Sequence, residues 1–257
     1  MNGERVSTSS ETAGGDTMTL QVIATIYNDF HEKFGIPRQS GLVPEVVSTI
    51  VFEEPFRRKE ALAGIEGYSH LWLIWQFSEC ADSPWRPTVR PPRLGGNKRM
   101  GVFATRAPYR PNSLGLSSVR LLGVEETEEF GCVLKVAGAD ILNGTPIFDI
   151  KPYVAYSDSH PEAVSGFADD FVDYKLEVSF PEEALSCVDA EDRRALVKLL
   201  EQDPRPAYQD DENRIYKMDF GKYAVSFRVK DGVLTVVEIK RGCSKMHRPR
   251  KAAEMLL

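Results

Sequence analysis

The chain has 257 residues, 42% apolar and 27% charged, with a net charge of −6, the composition of a globular protein with room for one large domain or one domain plus a smaller one. No run of about 18 apolar residues occurs, so no membrane-spanning helix is expected, and residues 1–18 lack the apolar stretch of a secretory signal and read as a disordered leader. Cysteines at 80, 132, 187 and 243 and histidines at 31, 70, 160 and 247 are scattered without a Cys-x-x-Cys pair, which lends no support to a metal site and fits a reduced, cytoplasmic protein.

Along the chain, Leu20–Tyr27 is apolar and β-branched and predicts a strand. Ile36–Gly41, with Pro37 and Gly41, predicts a loop. Val46–Phe52 predicts a second strand, and Glu53–Ala63 a charged surface segment with a short helix. Leu71–Phe77 is a continuous apolar run whose length and aromatic content predict a buried strand. Pro84, Pro87, Pro91, Pro92, Gly95 and Gly96 then forbid regular structure. Met100–Thr105 alternates and predicts a strand, Ala107–Gly115 predicts a turn, and Leu116–Val124, Cys132–Ala137 and Ile147–Ile150 predict further strands. Many short strands with little helix between them predict a mainly antiparallel barrel or sandwich.

After Pro152 the character changes. Ser157–Asp173 is acidic and loop-like. Asp189–Glu201 places Ala195, Leu196, Leu199 and Leu200 at helical spacing, with Asp189 at the expected N-cap. Arg214–Lys240 alternates, and Asp231-Gly232 signals a tight hairpin. These features predict a small α+β domain over residues 162–241, followed by a basic tail over 242–257.

Two patterns narrow the function. No glycines are spaced as Gly-x-Gly, so the glycine-rich dinucleotide fingerprint is missing, and the P-loop pattern is missing too. From Ser83 to Val124 there is no Asp or Glu, whereas Arg86, Arg90, Arg93, Lys98, Arg99, Arg106, Arg110 and Arg120 all fall there, which leaves −14 for the rest of the chain. Such asymmetry points to an anionic partner, best RNA. Arginine forks match phosphate oxygens, and Trp85 and Tyr109 are candidates to stack on unpaired bases, worth about 1–3 kcal/mol each. The plainer alternative is a solvated basic loop.

Several motifs then combine. They are Pro37-Arg38-Gln39, Ser69-His70-Leu71-Trp72, Trp85–Asn97 with its Arg-Pro-Pro-Arg-Leu-Gly-Gly-Asn core, and Met100–Gly115 with Gly-Val-Phe-Ala-Thr-Arg. Asp140–Pro152 and Asp203–Tyr208 complete the set. On these residues the chain resembles the TrmO-type (TsaA-like) tRNA methyltransferases, from about Leu20 to Lys240.

The resemblance implies a single non-Rossmann β-barrel over residues 19–161 that binds S-adenosyl-L-methionine, a small C-terminal domain, and a homodimer. It implies N6-methylation of N6-threonylcarbamoyladenosine at position 37 of tRNA, with no membrane, metal or DNA involved. By motif, the cofactor residues are Pro37, Arg38, Gln39, His70, Leu71, Arg106, Leu116, Asp140, Ile141, Leu142 and Asn143. The tRNA side falls to Arg86, Arg90, Arg93, Arg110, Asn112, Arg205 and Tyr208. Alternatives are a non-catalytic RNA-binding barrel and a methyltransferase of small molecules.

The chemistry is compatible with that resemblance. Arg38 or Arg106 suits the cofactor carboxylate, and Gln39 with the Asp140–Asn143 turn suits adenine. The acceptor nitrogen is conjugated to a carbonyl, so a base helps, and Asp140, His70 and Asp203 are the candidates. The chain departs from the usual family pattern in having Ser113 for Pro, Asn143 for Asp and Phe227 for Trp. Ser113 restores an N–H and frees one backbone angle, which predicts a looser turn.

Overall fold

The computed structural model describes residues 18–205 and 211–242. The predicted leader up to residue 17, Tyr208, and the predicted tail beyond Gly242 lie outside the described residues.

Six strands carry the first half of the molecule: β1 (Ala24–Tyr27), β2 (Val47–Phe52), β3 (His70–Gln76), β6 (Leu114–Thr127), β7 (Gly131–Ala137) and β8 (Thr145–Pro152). A two-stranded ribbon, β4 (Thr88–Val89) with β5 (Met100–Gly101), lies between β3 and β6 in the chain. The six pair antiparallel in the order β1-β2-β7-β6-β3-β8, and β8 returns to β1, so the sheet closes into a barrel. Period-two alternation fills its interior with Ala24, Ile26, Ile50, Leu71, Leu73, Trp75, Val119, Leu134, Val136 and Ile147. Closure leaves no free sheet edge here.

The second half holds α1 (Ala155–Asp158), β9 (Glu177–Ser179), α2 (Glu182–Ser186), α3 (Ala190–Glu201), β10 (Tyr216–Phe220), β11 (Tyr223–Lys230) and β12 (Val233–Arg241). The last three strands and β9 form a sheet in the order β10-β11-β12-β9, with β9 parallel to β12. Asp231 and Gly232 turn the β11–β12 hairpin with φ of 49° and 77°, the left-handed pair that a two-residue turn requires. Leu196, Leu199 and Leu200 of α3 pack on Phe220, Val225, Phe227 and Leu234.

The linear sequence hid one connection. Phe30, Val43 and Val46 belong to the loop between β1 and β2, yet they are buried in the core of the second sheet. Gly35 of the same loop packs against the Met218 side chain, where a Cβ would sit 2.5 Å from the sulfur. The loop that carries Pro37–Gln39 is therefore anchored by both sheets.

Two local expectations need correction. Met100–Thr105 is not a continuous strand: only Met100 and Gly101 pair, and Val102–Ala104 curls into a 3-10 turn. The Val102 N–H donates to the Pro87 carbonyl at 3.0 Å, and the Val102 carbonyl accepts both the N–H and the hydroxyl of Thr105. These local bonds replace a ladder. Asp189 does stand at the N-cap of α3, but its carboxylate makes no capping bond. It pairs with Lys222 at 2.6 Å and with Arg241 instead, tying the helix start to the β10–β11 turn and to the end of β12. Among the described residues no helix is long and apolar enough to cross a membrane.

Candidate active site

A cavity of about 560 Å³ opens where the C-terminal end of β3 meets the start of β6. Its size suits a cofactor-sized ligand. Pro37, Arg38 and Gln39 line it from the β1–β2 loop, Trp75, Gln76 and Phe77 from β3 and its end, Thr105, Arg106 and Tyr109 from the turn before β6, and Asp140 and Leu142 from the turn before β8.

Local structure fixes each wall. Trp75 lies opposite Gly115 in the β3–β6 ladder. A Cβ at Gly115 would meet the Trp75 ring at 2.3 to 2.7 Å, so only glycine lets the indole lie flat there. The indole N–H donates to the Ser117 hydroxyl at 3.0 Å, and that hydroxyl donates to Asp140 Oδ1 at 2.6 Å. A hydroxyl has one proton, so an indole donor on one side commits that proton to the carboxylate on the other. Ser117 is buried.

Burial pushes the Asp140 carboxyl above its usual range, while Ser117, the Ser40 backbone N–H and the Arg106 charge pull the other way. Arg106 also reaches the Gln39 side-chain carbonyl, which links the two loops over the cavity. The Gly41 N–H donates to the Gly138 carbonyl at 2.8 Å, and this brings the first loop against the residues preceding Asp140.

The turn after Asp140 is held by Asn28, the residue that follows β1. The Asn28 side chain donates to the Ile141 carbonyl at 2.9 Å, and the Asn28 N–H donates to Asn143 Oδ1 at 2.9 Å. Asn143 thus fixes the turn and does not line the cavity. Neither does Ile141, which is wholly buried in the barrel core.

The predicted residues divide as follows. Pro37, Arg38, Gln39, Arg106, Leu116, Asp140 and Leu142 line the cavity. His70 and Leu71 start β3 at the far end and do not line it: His70 pairs with the Ser69 hydroxyl, and the Leu71 side chain is fully buried. Asp203 lies away from it too, in a two-pronged ion pair with Arg205 at 2.9 and 3.1 Å. Although desolvation raises the Asp203 carboxyl, the bonds from Arg205 and Tyr174 prevail and hold it below the usual range. Of the three base candidates, the geometry brings only Asp140 to the cavity.

Arg38 donates to the backbone carbonyls of Asp203 and Arg205 at 3.1 and 2.9 Å. Burial, with Arg93 nearby, lowers its pKa to about 10. Its guanidinium therefore fastens the first loop to the second domain as it lines the cavity.

Of the residues expected to meet RNA, Arg90 and Asn112 are exposed. Arg86 lies over the Tyr109 ring at 4.5 Å, so one face of the predicted stacking ring is already covered. Arg110 braces the 3-10 turn by donating to the Val102 and Thr105 carbonyls at 3.1 and 2.7 Å. Arg93 and Arg205 are spent on contacts within the protein. Sequence reasoning missed Trp75, Ser117, Lys33 and Glu79. Period-two counting inward from Gly115 reaches Ser117, but nothing local marks the partner that it finds on another strand. Lys33 and Glu79, 2.7 Å apart, meet only through the fold.

Ser113 takes φ of 46° and is buried. Its N–H donates to the Arg110 carbonyl at 3.3 Å, and its carbonyl accepts the Phe77 N–H at 2.9 Å. The turn is a closed one, not the looser one that the loss of proline predicts.

The chain is similar to several known proteins. The Escherichia coli K12 protein named tRNA (adenine(37)-N6)-methyltransferase is 37% identical over 229 residues, covering 86% of this chain and 97% of that protein. A Pseudomonas aeruginosa relative, RcsF, whose name assigns it provisionally to the S-adenosylmethionine-dependent methyltransferases, is 42% identical over 203 residues, covering 76% of this chain and 85% of that one. The crystal structure of TrmO from Pseudomonas aeruginosa superposes with a TM-score of 0.71 at 32% identity, covering 88% of this chain and 100% of that one. Residues 25–159 match the tRNA-methyltransferase O N-terminal domain and residues 173–242 the TrmO C-terminal domain; the chain belongs to the tRNA-methyltransferase O family.

Proposed function

We propose that this protein transfers a methyl group from S-adenosyl-L-methionine to the N6 nitrogen of adenine 37 in tRNA, with the threonylcarbamoylated adenosine as acceptor. The observation that carries the reading is the cavity itself. The half-buried carboxylate of Asp140 and the Arg106 guanidinium both face it from turns, and Arg106 belongs to the segment devoid of acids. The names of the relatives support the same activity.

The donor set fits the cofactor. Arg106 is placed to meet a carboxylate, the Gln39 amide to meet an adenine edge, and Trp75 and Phe77 supply aromatic walls for a cationic centre. When bound, S-adenosyl-L-methionine supplies an electrophilic methyl group on sulfur. The protein's part is to hold acceptor and donor in line, which converts a bimolecular encounter into an oriented one. Asp140 takes the acceptor's N6 proton, and its raised pKa makes it the stronger base. Ser117, itself held by Trp75, anchors one oxygen of that carboxylate.

On this reading, residues 19–161 form the cofactor domain and residues 162–241 a domain on the tRNA side. The protein works in the cytoplasm as a homodimer, with a second copy covering the exposed outer face of β6 at Leu116 and Leu122. Calorimetry with S-adenosyl-L-methionine and mass spectrometry of tRNA nucleosides from a deletion strain, with and without this gene, test the reading. Restored methylation of the position-37 nucleoside is expected. No heat and an unchanged nucleoside profile would overturn it and leave a binding-only barrel.

A further inference from the structure

We infer that Phe103 is the stacking platform for an unpaired base of the RNA substrate, at the rim of the cofactor cavity. The inference rests on the tRNA reading above and adds a binding residue to it. Phe103 is 72% exposed, an unusual placement for a phenylalanine, since a ring of this size gains most from burial.

The turn that presents it is rigid. Val102 beneath is buried and bonded to Pro87, and Thr105 closes the turn onto the Val102 carbonyl. Arg110 donates to carbonyls on both sides of the ring and lies 5.6 Å from its centre. A fixed ring loses little entropy when a flat ligand settles on it. The next two residues but one, Thr105 and Arg106, line the cavity, so a base stacked on Phe103 stands beside the nucleotide being modified.

The surroundings select the occupant. Phe103 sits inside the segment Ser83–Val124, which holds eight cations and no acid. A polyanion with exposed π-faces matches both the ring and the field. The other aromatic candidates are less free: Tyr109 is covered on one face by Arg86, and Trp85 is 47% exposed.

The test compares Phe103→Ala, Phe103→Leu and Phe103→Trp with the wild type. Methylation kinetics use an anticodon stem-loop RNA, cofactor affinity is read by calorimetry, and oligomeric state by sedimentation. Alanine and leucine should raise KM for the RNA about 5- to 150-fold, the loss expected for one stacked base, and leave cofactor affinity unchanged. Tryptophan should keep KM near wild type. Leucine matching the wild type would overturn the inference, because an apolar surface alone would then suffice. A shift from dimer to monomer in the alanine variant would also overturn it, because a second copy would then be what covers the ring. If alanine fails to fold, the contrast of leucine with tryptophan decides the same question. A wild-type protein without activity on RNA would refute the proposed function itself, whereas normal wild-type activity with indifferent variants refutes only Phe103.

Discussion

The Arg93 guanidinium lies 4.1 Å from the centre of the Tyr174 ring, and the Tyr174 hydroxyl donates to Asp203 Oδ2 at 2.8 Å. One tyrosine thus touches the basic loop with its face and the Asp203–Arg205 pair with its edge. Arg93 also lies 5.5 Å from the Phe171 ring centre and donates to the Gln202 carbonyl at 3.4 Å. The prolines of the loop restrict its conformations, and this contact chooses the position in which it is held.

Arg93 and Arg90 should therefore fail differently. Arg90→Ala removes an exposed charge and should lower the log–log salt slope of tRNA binding by about 0.7, the share of one phosphate in a single strand. Arg93→Ala should weaken tRNA binding while the slope stays at the wild-type value, because the loop loses its mooring and no phosphate contact. Affinity measured across a salt series separates the two. Equal loss of slope would place Arg93 on the RNA.

Asp140 and Ser117 make a pH prediction. Activity should rise with pH as the Asp140 carboxyl, held above the usual range by burial, loses its proton. The Ser117 hydroxyl stabilises the charged form, so Ser117→Ala should push that pKa higher and move the acid limb of kcat/KM toward higher pH. Asp140→Asn should lower kcat by at least about 100-fold. It should not lower stability at neutral pH: a carboxyl whose folded pKa is raised favours unfolding once the pH exceeds its unfolded value. An acid limb unmoved in Ser117→Ala would remove Asp140 as the base.

The Asp203–Arg205 pair predicts the opposite linkage. The Asp203 carboxyl is held low, so its contribution to stability is full above the ordinary carboxylate pKa and is lost as pH falls through the depressed folded value. Asp203→Asn removes the two-pronged carboxylate from the buried Arg205 guanidinium and should lower stability at neutral pH. The difference from wild type should shrink in strong acid. Urea denaturation across pH measures both, and a pH-independent difference would contradict this account.

Ser113 tests the turn before β6. At φ of 46° the backbone cannot accept proline, whose ring fixes φ near −65°. Ser113→Pro, the residue that the family pattern favours, should destabilise this chain by more than about 1 kcal/mol. Ser113→Gly should be neutral or stabilising, since glycine takes left-handed angles without a Cβ penalty. Thermal unfolding decides, and a proline variant as stable as wild type would mean that this turn adopts the relatives' backbone.

How much of this was legible in the sequence depends on the range of each interaction. Strands β2, β7 and the β11–β12 hairpin were visible because period-two alternation and the Asp-Gly turn act between near neighbours. The acid-free stretch was visible because charge is additive along the chain, and the Gly-Val-Phe-Ala-Thr-Arg and Arg-Pro-Pro-Arg blocks because motifs are linear. The length of β5 was not, since the Val102–Thr105 turn depends on a bond to Pro87, the residue before β4.

The identities of the cationic residues, by contrast, say little about where their charges go. Arg38, Arg93, Arg106, Arg110 and Arg205 look alike in a sequence. The fold gives Arg38 to two backbone carbonyls, Arg93 to an aromatic ring, Arg110 to a turn, Arg205 to Asp203, and leaves Arg106 at the cavity. Sequence alone determined the mainly β fold class, the family and the acid-free cationic segment, because local pattern and composition carry those. Only the tertiary structure decided that Asp140 alone of the three base candidates reaches the cavity and that Phe103 stands exposed beside it, because both facts depend on strands brought together by closure of the barrel.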